Sequence, residues 1–197
     1  MQLVNDAAAK QREHAQLARG KALEIFLADI ERRAYRIALL GLRNEDDALD
    51  AVQESMLSLV KNYASRPQAE WKPLFYRILT NRMHDMRRRR ASQSRFMAWW
   101  PLRAGADEDA EDDPVAAAPD PGPLPAERID LQDAMERLEQ SLTSLPARQQ
   151  EAFLLRSLEG LDVAATAAAM GCSEGSVKTH YFRALQSLRI KLGDFSP

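Results

Sequence analysis

The chain has 197 residues, 45% hydrophobic and 28% charged, with 27 Lys plus Arg against 29 Asp plus Glu for a net charge of −2. That length holds two small domains or one medium one, and the missing basic surplus argues against a protein that coats DNA non-specifically. A single cysteine, Cys172, excludes an internal disulfide. No apolar run approaches the roughly 20 residues of a membrane span or forms the core of a signal peptide, so a cytoplasmic protein with no membrane insertion is expected.

The first twenty residues are polar and rich in Ala, Gln and Arg, and they read as an N-terminal extension without an assigned role. From there Leu23, Phe26, Ile30, Ala34 and Ile37 recur at steps of three and four, which predicts one apolar helical stripe. Residues 44–47 offer cap-type side chains, after which Ala48, Ala51, Val52, Met56, Leu59 and Val60 repeat the pattern to about Tyr63. A third helix is predicted to start near Pro73, a residue favoured in a first turn, with Phe75, Ile78, Leu79, Met83 and Met86 buried.

Charge then divides the chain. Residues 1–100 carry 18 basic and 12 acidic side chains, whereas residues 101–128 carry 2 and 8 together with six of the ten prolines. Proline and like charge at that density leave little to bury, so this stretch reads as an extended acidic tether between two domains. The second domain begins with Leu131, Met135, Leu138 and Leu142 on one face, and Ser144 to Pro146 resets the chain. A helix carrying Phe153, Leu154 and Leu158 ends at Gly160. Asp162 is a candidate N-cap for an alanine-rich helix from Val163 to Met170, and Ser173 caps a last helix that turns Val177, Tyr181, Leu185, Leu188 and Leu192 inward. No period-two alternation is found. The fold class is all-α, two small helical domains joined by the tether.

The short helix, the turn opening with Gly171 and the longer helix have the helix-turn-helix layout. Gly171 accepts the left-handed backbone that ends the first helix, Ala167 is small where the helices cross, and Val177 fills the angle between them. The last helix is then expected to expose Ser176, Lys178, Thr179, His180, Phe182 and Arg183, whose hydroxyls and cations suit phosphates and base edges. A helical hairpin with a solvated polar face is the plain alternative.

A second signal lies in the first domain. Seven arginines (Arg77, Arg82, Arg87, Arg88, Arg89, Arg90 and Arg95) face a single acid, Asp85, between Tyr76 and Arg95. Arginine forks hold phosphates bidentately. Trp71, in a polar loop before Pro73, is the candidate platform for an unpaired base, a contact of roughly 1–3 kcal/mol. The alternative is a solvated helix end whose cations favour the helix dipole, with Phe75 in the core.

Together these blocks resemble a known family. DDALDAVQESMLSLVKNY (residues 46–63) is similar to the second region of bacterial sigma factors, and FYRILTNRMHDMRRRR (75–90) to their promoter-melting helix. Residues 144–189 resemble their fourth region. With no third domain between, the chain resembles the extracytoplasmic-function (ECF) group, over about residues 21–90 and 129–192. The resemblance implies a domain from 21 to 96 that binds core RNA polymerase and the −10 element, a linker from 97 to 128, and a −35-reading domain from 129 to 197. It implies that Asp47, Asp50, Gln53 and Glu54 dock on the clamp helices of the largest polymerase subunit, with the polymerase flap as a further contact. Asn81 matches the position that reads the −10 element as it opens, with Trp71, Arg77, Arg87 and Arg88 nearby. Ser176, Lys178, Thr179, His180, Phe182 and Arg183 match −35 contacts. Promoter DNA and an anti-sigma factor are the remaining partners implied; no cofactor or metal is, and the function implied is not that of an enzyme.

The chain departs from the family pattern at Thr166 and Ala169, where large aliphatics are usual, and a loosely packed first helix of the motif is expected. His180 stands where arginine is common. Trp99 and Trp100, with Met97 and Leu102, form an apolar cluster that either packs on the first domain or meets a partner. The two promoter elements lie roughly 80 Å apart along the duplex axis. The 38 residues from 91 to 128 reach at most about 125 Å extended but average only about 34 Å as a coil, so the tether bridges the sites only when something stretches it. Two other readings stay open. One is a stand-alone regulator, since GSVKTHYFRAL also resembles response-regulator recognition helices; the other is a sigma-like decoy for an anti-sigma factor. Among enzymes, the scattered His14, His84 and His180 and the absence of a P-loop or nucleophile elbow leave no candidate site.

Overall fold

A computed structural model describes the backbone of residues 2–99 and 125–193, and the side chains of residue 14 and of residues 16–92 and 134–193. The described residues are helical, without strands. The first domain consists of α1 (Gln2–Leu42), α2 (Glu45–Tyr63) and α3 (Gln68–Trp99). Asn44 caps α2 by accepting a 2.8 Å hydrogen bond from the Asp47 amide, with Glu45, Asp46 and Asp47 in the first turn where the helix dipole favours anions. Leu23, Ile30, Ala34 and Ile37 of α1 meet Ala48, Ala51, Val52 and Leu59 of α2 and Phe75, Leu79 and Met83 of α3 in one buried core. Gly41 lies under the α1–α3 crossing: an added Cβ would collide with the Met83 Cε.

The second domain consists of α4 (Pro125–Thr143), α5 (Ala147–Phe153), a π-helical turn continuing it over Leu154–Leu158, α6 (Val163–Met170) and α7 (Glu174–Leu192). Each local signal at the motif is realised. Asp162 accepts from the Ala165 amide at 2.6 Å, Gly171 ends α6 at φ 61°, and Ser173 accepts from the Ser176 amide at 3.1 Å. Ala167 and Val177 are buried between α6 and α7.

Several expectations are corrected. Helix α3 starts at Gln68, so Pro73 stands inside it rather than at its first turn. Trp71 belongs to this helix and not to a loop: four residues before Phe75 and eight before Leu79, it shares their face and is 1% exposed, its ring 5.8 Å from that of Phe26. Val60, Met135 and Leu185 are exposed, and Ala184 takes the inward place on α7. Helix α6 is not loosely packed. Thr166 is buried with its hydroxyl donating to the Asp162 carbonyl at 2.6 Å, and Ala169 is buried against the first domain. Trp100, Leu102, the side chains of Met97, Trp99 and Leu131, and most of the acidic tether lie outside the described residues.

The two domains pack together, chiefly α3 against α6, with α1 touching α4 and α5. Small side chains on α6 let the helices approach closely, and the Thr80 hydroxyl donates to the Ala169 carbonyl at 3.0 Å. The exposed carbonyls at the end of α1 are also taken up: Gln150 donates to Leu40 at 3.0 Å, and Arg87 to Gly41 at 2.7 and 3.0 Å.

Candidate nucleic-acid interface

The strongest candidate surface is the outer face of α7. The cap at Ser173 and the left-handed Gly171 fix its start, while Val177, Ala184 and Leu188 bury its opposite side. Lys178, Thr179, Phe182 and Arg183 are exposed, Phe182 at 60%, and His180 and Ser176 are half-buried. The hydroxyls are partly committed: Ser176 bonds Ser173 at 2.9 Å, and Thr179 donates to the Gly175 carbonyl at 2.9 Å. The side chains of Lys178 and Arg183 meet no partner among the described residues. A large exposed aromatic beside two unpaired cations fits a nucleic-acid surface, since burial against bases and phosphates gives each a use that water does not. Cys172, in the turn, has its thiol pKa pushed up by burial.

On α3, Asn81 and Arg77 are exposed and their side chains have no partner among the described residues. Arg88 is exposed and pairs with Asp85 at 2.8 Å, a surface pair that a phosphate can displace at little cost. Two members of the predicted set stand elsewhere. Trp71 is core, so it offers no stacking face, because the fourfold spacing to Phe75 and Leu79 places it on the buried stripe. Arg87 is turned inward to Gly41 and Gln150, and burial lowers its ionisation against the partial support of Glu151. The basic run therefore divides, with Arg88 and Arg89 exposed while Arg87 and Arg90 bond the end of α1.

On α2, Asp50 and Gln53 are exposed and Glu54 pairs with Arg82 at 2.9 Å, both side chains about half exposed. Asp47 differs. It is half-buried and its carboxylate is held by Arg90 of α3. The pattern of cap and buried stripe overlooked the apolar members of this surface: Leu49, Leu57 and Val60 are exposed near Asp46, Asp50 and Gln53 at helical spacing. Leu49 and Leu57 fall off the buried stripe, which was the signal available. An apolar strip edged by carboxylates fits a protein partner.

Residues 24–93 match the family pattern "Sigma-70 region 2" and residues 135–188 match "Sigma-70, region 4", together more than half of the chain. The chain is 29% identical over 163 residues to the ECF RNA polymerase sigma factor SigM of Mycobacterium tuberculosis, covering 82% of this chain and 72% of that protein. It is 29% identical over 167 residues to the RNA polymerase sigma factor SigV of Bacillus subtilis, covering 84% and 88%. In fold it is similar to the sigma factor RpoE from Bartonella quintana, solved with the anti-sigma factor NepR, at a TM-score of 0.62 with 22% identity, covering 88% of this chain and 99% of that one. CnrH, solved with the cytosolic domain of CnrY, gives a TM-score of 0.55 at 19% identity, covering 92% and 98%. A region 2 followed by a region 4, each matched on the helices that carry the exposed cations, leaves one assignment: the chain belongs to the ECF group of sigma-70 factors.

Proposed function

We propose that this protein is the promoter-specificity subunit of a bacterial RNA polymerase, acting in the cytoplasm, and that its residues divide the work as follows. Residues 21–96 bind core enzyme through the α2 face of Asp50, Gln53 and Glu54 with Leu49 and Leu57, and present Asn81, Arg77 and Arg88 to the opening −10 element. Residues 129–197 present Lys178, Thr179, His180, Phe182 and Arg183, with Ser176 at the helix start, to the −35 element. Residues 97–128 span the interval. The polymerase flap and an anti-sigma factor are further partners, the latter by analogy with the Bartonella protein solved with NepR. The observation that carries this reading is the pairing of two such surfaces in one chain, a recognition helix whose Lys178 and Arg183, and a basic helix whose Asn81 and Arg77, have no side-chain partner among the described residues.

Gel filtration with purified core RNA polymerase tests it. The chain is expected to co-elute with core, and Asp50→Lys together with Gln53→Lys is expected to weaken that association. A chain that elutes apart from core under all conditions overturns the proposal.

A further inference from the structure

The interface between the two domains is closed by charges, and their placement is uneven. The π-helical turn ends where the Glu159 amide donates to the Leu154 carbonyl at 3.1 Å, and the side chain that follows points into the first domain. The Glu159 carboxylate is 0% exposed and meets Arg33 of α1 at 3.1 Å and Lys72 of α3 at 3.4 Å. Lys72 also donates to the Glu159 carbonyl at 2.6 Å. The buried Tyr76 ring lies beside it, its hydroxyl ionisation raised by burial and then by the Glu159 charge. A second acid, Glu151 of α5, is 3% exposed and meets His84 and, at 3.9 Å, Arg87 of α3, with Arg148 of its own domain at 3.4 Å. Both acids are buried in the second domain's contact face, and their partners across the interface come from the first domain.

We infer that Glu159 and Glu151 form an electrostatic latch that holds the free chain shut, in a conformation unable to read both promoter elements. Distance makes the closed form incompetent. Thr80 touches Ala169, Asn81 is the next residue, and Ser176 follows Ala169 by seven; at 3.8 Å per residue Asn81 and Ser176 are separated by no more than about 40 Å. The promoter elements are about 80 Å apart. Buried ion pairs suit a latch better than a weld, because the carboxylates regain water when the domains part, so closure rests on pairing that opening replaces. Arg87, on the basic helix, is held in the same contact and is released with it.

The purpose assigned to the latch rests on the promoter reading above, but its existence is measured without DNA or polymerase, so the two can fail separately. Distances in the full chain are read by fluorescence energy transfer between cysteines placed at the exposed Ser65 and Gln186, on a Cys172→Ala background, with helicity followed by circular dichroism. The parent is expected to show one short-distance population. Arg33→Ala with Lys72→Ala strands the Glu159 carboxylate in the closed form alone, and is expected to shift the closed-to-open ratio at least about tenfold toward open at unchanged helicity. Adding Glu159→Gln to that pair removes the charge that needed the cations and is expected to restore the short distance. The latch is overturned if the double variant keeps the parental distances, if it unfolds rather than opens, or if the triple variant stays as open as the double.

Discussion

Trp71 shows how a single residue can carry contradictory signals. Its neighbours Glu70, Lys72 and Pro73 read as a polar loop, while its spacing to Phe75 and Leu79 reads as core, and the second reading holds because a tryptophan can bury an area that no loop contact replaces. Trp71→Ala is therefore expected to lower unfolding stability by about 3–5 kcal/mol in a urea titration; an unmoved midpoint would return the ring to the surface. Asn81, ten residues further along α3 and on its exposed side, is the opposite case. With no side-chain partner among the described residues, its replacement by Ala is expected to leave folding and core association intact and to reduce promoter opening. Permanganate reactivity of unpaired thymines reads this directly, and unchanged reactivity would remove Asn81 from the −10 contacts. Among the expected polymerase contacts, Asp47 is bound to Arg90, a pair 43 positions apart in sequence that no local pattern announces.

At the scale of elements, legibility follows the range of the forces. Asp162, Gly171 and Ser173 set the ends of α6 and α7 through bonds to amides or a backbone angle within three residues, so the helix-turn-helix could be read from sequence to the residue. Gly171→Ala tests that account cleanly. Nothing lies within 4 Å of its added Cβ, so the whole cost is the left-handed φ of 61°, about 1–2 kcal/mol of stability by chemical denaturation. An equal or higher midpoint would contradict it. Helix α3 starts more than a turn before Pro73, because the apolar stripe of Trp71, Phe75 and Leu79 sets its extent and not the preference of proline for a first turn. The apolar face on α2 is legible only in part: Leu49 and Leu57 fall off the buried stripe, whereas Val60 reads as a member of it and is left exposed once α1 and α3 are placed.

For the whole molecule, the sequence shows two helical domains of unlike charge but not their contact. Closure depends on Glu159 meeting Arg33 and Lys72, and Glu151 meeting His84 and Arg87, pairings 64 to 126 positions apart. Composition counts those charges and cannot pair them. A net charge of −2 is compatible with DNA recognition because the charges are sorted in space: buried acids of the second domain pair with Arg33, Lys72 and Arg87, while Arg77, Arg88, Lys178 and Arg183 stay exposed. The account requires that neither domain alone, nor the closed chain, finds a promoter. Run-off transcription measures this on a template drawn from genes whose transcripts rise when the protein is overproduced. Purified core polymerase with this chain is expected to yield a discrete transcript that is lost when either the −35 or the −10 element is replaced, and neither core nor chain alone is expected to do so. Tight, sequence-specific binding of that template by the free chain, with no transcript on adding core, would contradict it.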